Sequence, residues 1–176
     1  GDPTAKYAGR LTLNPLAHID PVGTVLLPFL LIMMRSPIIF GWAKPVPINF
    51  FNLRNPKSDM VWVGLAGPAA NFALALTLAI LIKFQIFTFY PLQFLLVAII
   101  FINLALAVFN LVPVPPLDGS RILTGILPRK YASRYSRLEP YGFIILIILL
   151  YLGLIDKLIL PTVKFIAQWL GIQILW

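Results

Sequence analysis

The chain has no cysteine and one histidine, His18. The first absence excludes disulfides and thiolate metal ligands and leaves the redox compartment open. The second means that one imidazole and one nearby carboxylate could not complete a zinc site here. Acidic residues are scarce, six against 14 Lys and Arg, so the formal net charge is +8. No basic tract interleaves with aromatic residues as a nucleic-acid groove requires, and no nucleic-acid partner is expected. There is no internal repeat of the kind that builds transporters. The polar opening stretch lacks the apolar h-region of a secretory signal. It also lacks an initiating Met, and GDPTAKYAGRLTLNPLAHIDP reads as the interior of a longer protein.

What fills the chain instead is apolar. It is 60% hydrophobic and 11% charged, with mean hydropathy +0.91. These values predict an all-α integral membrane protein, a multi-span helical bundle with short extended or re-entrant segments near its site. Residues 1–176 are expected to form one membrane domain in contact with the lipid bilayer. Residues 60–82, 92–112 and 141–155 read as spans. Residues 22–34 are apolar but short, hold Pro28 and close at Arg35-Ser36-Pro37, so segment 22–40 is either a kinked crossing or a dip and return. Tyr7 to Leu13 carries a weak strand signal, and extended pieces are expected around 46–51. The tail from residue 158, interrupted by Pro161, reads as interfacial.

Lys and Arg set the orientation. Arg121, Arg129, Lys130, Arg134 and Arg137 follow the second span, and Lys44, Arg54 and Lys57 precede the first. The loop between those spans holds only Lys83. The two basic loops share a side, expected to be cytoplasmic.

On that side lies Asn110-Leu-Val-Pro-Val-Pro-Pro-Leu-Asp118-Gly119. A carboxylate just past an apolar span is costly unless it is solvated, paired or holding a metal. Pro113, Pro115 and Pro116 force extended backbone, which persists at membrane depth only where it lines a cavity or is packed in protein. From local sequence alone, Asp118 is a site residue, a helix cap or an ion-pair partner of Arg121. Asn103 and Asn110 share a helix face. Asn71 adjoins the small-residue run Gly64, Ala66, Gly67, Ala69, Ala70, where helices approach closely and asparagines can bond across the contact. Asn71 and Asn103 read first as packing residues, Asn110 first as a site residue. His18 reads first as a structural hydrogen-bonder, with accessory contact to the chemistry as the sharper alternative.

Asn110-x-x-Pro113-x-Pro115-x-Leu117-Asp118-Gly119 resembles the second signature of the site-2 protease family, the intramembrane zinc metalloproteases (peptidase family M50). GDPTAKYAGRLTLNPLAHIDPVGT, FGWAKPVPIN and LAGPAANF resemble its small bacterial branch, in the same order, over roughly the first three-quarters of the chain. The resemblance implies regulated proteolysis of transmembrane protein substrates in a bacterial inner membrane, with the active site toward the cytoplasm. It implies zinc as cofactor, Asp118 as third ligand, and Asn110 as a catalytic residue that holds the substrate backbone or the oxyanion. Pro113, Pro115, Leu117 and Gly119 would shape the loop between them, with residues 60–127 holding the second half of the catalytic site and 141–176 a last span and tail. The loops at 1–20 and 41–59 would place extended segments near the cavity, one able to pair with unwound substrate. One departure stands out. The family's HExxH motif, two zinc-binding histidines and a general-base glutamate on one helix face, is absent. It is expected just before Gly1, which would leave residues 1–176 catalytically incomplete. A non-catalytic scaffold or pseudoprotease, or a small transporter with Asn71, Asn103 and Asp118 along its path, are the competing readings.

Overall fold

The computed structural model describes residues 2–172 except 13, 37, 38, 40, 42, 45, 48, 50, 51, 87 and 88, and among these every regular element is helical. The chain divides into two compact units, Gly1–Pro56 and Lys57–Trp176.

The first unit opens at Asp2, whose carboxylate accepts from the Thr4 backbone N–H at 3.1 Å and from its hydroxyl, starting helix α1 (Thr4–Tyr7). Gly9, at φ 66°, ends it with a left-handed turn. The weak strand signal over 7–13 is therefore overridden by a local cap and a glycine; Leu13 itself lies outside the described residues. Of the extended pieces expected at 46–51, Val46, Pro47 and Asn49 carry no regular structure and the others lie outside the described residues. Asn14 caps a 3₁₀ turn over Pro15–His18 by accepting from Leu16 N–H at 3.0 Å. Asp20 then accepts from Val22 and Gly23 N–H at 3.0 and 2.7 Å. It thereby caps a π-helical turn, Pro21–Leu26, that runs straight into α2 (Leu27–Met33). Pro28, which lacks an N–H, sits where the wider ladder gives way to the α-helical one.

This apolar helix from Pro21 to Met33 is about 20 Å long, too short to cross a hydrocarbon core of about 30 Å. It stops with Arg35 at φ 51°. Arg35 N–H bonds the Ile32 carbonyl at 3.0 Å and Ser36 N–H the Leu31 carbonyl at 2.9 Å, a Schellman pair with arginine in the place glycine usually takes. The chain then comes back: a Cβ on Gly41 would stand 2.4 Å from the Gly23 carbonyl oxygen, and Lys44 N–H bonds the His18 carbonyl at 2.8 Å. Gly41 and Lys44 thus lie beside Gly23 and His18, on the near side of this helix. Asp2 closes the unit by also accepting from Asn49 N–H at 2.7 Å and the Asn52 amide at 3.2 Å. Hydrogen bonds from Thr4 and then Asn49 hold its carboxyl down at about 2.

The second unit begins with α3 (Pro56–Lys83) and α4 (Tyr90–Asn110), both long and apolar enough to cross a membrane. At 28 and 21 residues they measure about 42 and 32 Å. Pro68 lies inside α3 without ending it. The chain continues through α5 (Asp118–Ile126), α6 (Arg129–Ser136), a 3₁₀ turn at Glu139–Tyr141 and α7 (Gly142–Tyr151). Gly153, at φ 89°, breaks it, and a π turn (Ile155–Ile159) leads into α8 (Leu160–Trp169).

The span expected over 141–155 is accordingly half of a pair, Arg129–Tyr151 and Ile155–Trp169, bent by 71°. Two helices qualify as spans alone, and three if that pair counts as one. One face of the tail packs into the helical core. Ile159, Val163 and Ala167, at four-residue spacing, are buried with Ala75 and Ala79 of α3 and Ile100 and Leu104 of α4. Pro161 falls in the first turn of α8, where a missing N–H costs nothing, so it starts a helix that belongs to the core. Helices α4 and α8 approach closely, with the small Ala167 buried in their contact.

Candidate active site

The loop from 111 to 117 cannot continue α4, because Pro113, Pro115 and Pro116 offer no N–H donors. Its few internal bonds are Val114 N–H to the Val112 carbonyl at 2.8 Å and Leu117 N–H to the Val114 carbonyl at 2.9 Å. Its shape is imposed from outside. Gly119 lies so close to the end of α4 that a Cβ would be 2.2 Å from the Leu111 oxygen and 2.5 Å from the Val112 oxygen. Gly142, at the start of α7, stands behind Pro115, where a Cβ would meet the Pro115 oxygen at 2.4 Å. The Tyr135 hydroxyl of α6 donates to the Pro113 carbonyl at 2.8 Å. The buried Ser120 hydroxyl donates to the Leu117 carbonyl at 2.7 Å. Pro115 and Leu117 are buried, whereas Pro113 is exposed.

Asp118 is the first residue of α5, where the helix dipole favours a carboxylate. Helix α5 runs antiparallel to the opening turns of α3. A Cβ on Gly64 would stand 2.8 Å from the Asp118 carbonyl oxygen, and one on Gly125 would stand 2.7 Å from the Lys57 carbonyl oxygen. The Asp118 side chain points at α3: its Oδ2 would lie 2.9 Å from a Cβ on Gly67. Its Oδ1 is 3.7 Å from the Arg121 guanidinium, a loose pair. Gly67 follows Met60, the first residue of the apolar stretch of α3, by seven positions, which puts Asp118 about 10 Å along that stretch. A carboxylate at that depth is expensive unless it has a purpose.

Structure thus gathers Asn110, Pro113, Pro115, Leu117, Asp118 and Gly119 around one junction, with Asn110 and Asp118 each one residue from the contact between Leu111 and Gly119. Asn110 is half-buried, and its side chain has no hydrogen-bond partner among the described residues. Asn71 lies one helical turn past Gly67 on the same face of α3, half-buried and likewise without a partner among the described residues. Asn103 bonds its own helix, donating to the Ile99 carbonyl at 2.8 Å, rather than bonding across a helix contact. His18 belongs to the first unit, where its Nε2 lies 3.0 Å from the Thr12 carbonyl oxygen. Sequence reasoning missed Gly64, Gly67, Tyr135 and Gly142. The spacing of Gly64 and Gly67 did signal close approach, but the helix approaching them is the one Asp118 begins. No residue pattern announces Tyr135 or Gly142, which act through distant contacts.

Among the described residues, no three His, Cys, Asp or Glu side chains are grouped so as to hold a metal ion. Asp118 presents one hard oxygen, Oδ2, away from its ion pair. That suits a single ligand position, and a complete tetrahedral donor set is not found in these residues.

Composition and two helices long and apolar enough to cross a membrane define a helical membrane protein. The chain belongs to the site-2 protease family, peptidase family M50, a family of metalloproteases. The model of that family, "Peptidase family M50", matches residues 88–153, which include the whole loop and Asp118. The protein named "Putative zinc metalloprotease YwhC" of Bacillus subtilis is 39% identical over 158 residues, covering 85% of this chain and 68% of the relative. "Putative zinc metalloprotease Rip2" of Mycolicibacterium smegmatis is 28% identical over 174 residues, 98% of this chain and 66% of its own length. "Zinc metalloprotease MJ0392" of Methanocaldococcus jannaschii is 40% identical over 78 residues, 43% of this chain and 22% of its own. The chain therefore spans about two thirds of the length of the Bacillus and Mycolicibacterium relatives. No solved structure matches.

Proposed function

We propose that this chain is the larger part of an intramembrane zinc endopeptidase that cleaves transmembrane protein substrates. Asp118 supplies one protein ligand to zinc, and two histidines and a glutamate of an HExxH helix preceding residue 1 complete the centre. The observation that carries this reading is the placement of Asp118: its free oxygen is turned into the apolar stretch of α3 at a glycine, on a helix start braced from four sides. Zinc, when bound, supplies Lewis-acid activation of water and of a peptide carbonyl. This chain's residues do the holding. Gly64 and Gly67 leave room for Asp118, the loop from 111 to 117 presents an exposed edge at Pro113, and Asn110 offers an unengaged amide to a substrate backbone or a developing oxyanion.

A substrate helix must unwind first, because its own hydrogen bonds shield its carbonyls. The basic segments at 54–57 and 121–137 support, by the positive-inside rule, a site that faces the cytoplasm. A second reading, a non-catalytic scaffold that binds transmembrane partners, draws on the missing donor set. The test is expression with the upstream coding sequence and assay on a membrane-embedded peptide, with and without a zinc chelator. Zinc-dependent cleavage supports the peptidase. Partner capture without cleavage, from an upstream sequence lacking HExxH, would leave the scaffold.

A further inference from the structure

Helix α6, RKYASRYS, is far more polar than the long apolar helices α3 and α4, and the loop and Asp118 explain only one of its residues. At 100° per residue, Lys130, Arg134 and Arg137, the residue capping its end, fall in one stripe, with Arg129 to one side. All four are exposed, while Ala132, Tyr135 and Ser136 on the opposite face are half-buried. The stripe therefore faces away from the protein. Glu139 is the one carboxylate between residues 119 and 155. None of the four cations has a carboxylate partner among the described residues.

Position says what the stripe meets. Through the turn at Glu139–Tyr141, α6 joins α7, whose residues are apolar throughout. Tyr131 and Tyr141, 54% and 60% exposed, flank the cations as aromatic residues do at a membrane–water interface. A soluble partner would find these cations at the headgroup level, with lipid already beside them. We propose that α6 is a seat for anionic lipid headgroups, with Lys130, Arg134 and Arg137 as its principal contacts. Charge complementarity and the interfacial tyrosines carry the inference, and it stands whether or not the chain cleaves peptides. It has one consequence for the site: the Tyr135 hydroxyl fixes the Pro113 carbonyl to this helix, so the height at which α6 rests among headgroups sets the height of the loop.

The absence of native cysteine makes the test direct. Ser133, exposed on α6, is changed by Ser133→Cys and labelled with a donor dye, and the full chain is reconstituted in phosphatidylcholine vesicles. Energy transfer is compared for acceptor-labelled phosphatidylglycerol and acceptor-labelled phosphatidylcholine at equal mole fraction. The expected result is a preference for phosphatidylglycerol that weakens by about fivefold for each of Lys130→Gln, Arg134→Gln and Arg137→Gln. It should also fade as added salt shortens the screening length. Equal transfer to the two lipids overturns the proposal, and so does a preference that survives all three substitutions together. Should the triple variant fold poorly, as judged by circular dichroism, the lipid comparison and salt titration of the otherwise unsubstituted chain decide alone.

Discussion

Gly119→Ala measures how tightly the helix carrying Asp118 is pressed against the end of α4. The added methyl would lie 2.2 Å from the Leu111 oxygen, 2.5 Å from the Leu111 carbon and 2.5 Å from the Val112 oxygen, where ordinary contact begins at 3.4 Å. All three obstacles are backbone atoms, so no side chain can rotate aside. The loop cannot retreat freely either, because Gly142 stands against Pro115 and Tyr135 holds Pro113. A displacement on the order of 1 Å must be shared between α5 and the loop, and overpacking of this kind costs about 1–3 kcal/mol. Alanine returns up to about 1 kcal/mol of helix propensity, less at the second position of a helix than in its interior. The net expectation is a loss of about 1–2 kcal/mol, read as an earlier unfolding transition by circular dichroism in mild detergent. An unchanged or later transition would show that the close contact between Gly119 and Leu111 is not a feature of the folded protein.

Gly67→Ala should behave differently: its methyl meets only the Asp118 carboxylate, at 2.9 Å, which can rotate. Unfolding should move little, while cleavage by the complete protein should fall, so a stable and fully active variant would remove Gly67 from the site. Tyr135→Phe deletes the bond to the Pro113 carbonyl and should cost about 1 kcal/mol, with faster amide exchange confined to residues 111–117. Leu104→Ala, at a fully buried core position on α4, which packs against α8, should cost about 2–5 kcal/mol. The Asp2 carboxyl, at about 2 when folded against 3.8 ordinarily, stabilises the first unit fully above the higher value. That contribution is lost as pH falls from the higher value through the lower one. Asn49 amide protection should follow this course, and Asp2→Asn should abolish its pH dependence.

Much of this was legible in the residues. Long apolar runs announce α3 and α4, since about 20 consecutive apolar residues suit a helix, which satisfies its backbone within one segment in lipid. The prolines after Asn110 announce the loop, and Asp118 announces itself by being charged where charge is costly. The rest depends on contacts that no local pattern encodes. Periodicity over Tyr7 to Leu13 gave way to a cap from Asp2 and a turn at Gly9. Pro161, Lys164 and Gln168 made the tail read as interfacial, and the four-residue spacing of Ile159, Val163 and Ala167 adds a face that packs in the core. The small residues of α3 marked close approach correctly, but which helix approaches them follows from the loop turning α5 back along α3.

The central claim is that Asp118 is a metal ligand, and the rival is that it merely pairs with Arg121. Bound zinc, counted by elemental analysis, and cleavage should be measured side by side for Asp118→Asn and Arg121→Gln in the protein expressed with its upstream sequence. A ligand role predicts that Asp118→Asn loses both zinc and cleavage while remaining folded, and that Arg121→Gln keeps its zinc. Full zinc occupancy in Asp118→Asn, or equal losses in the two variants, would contradict it.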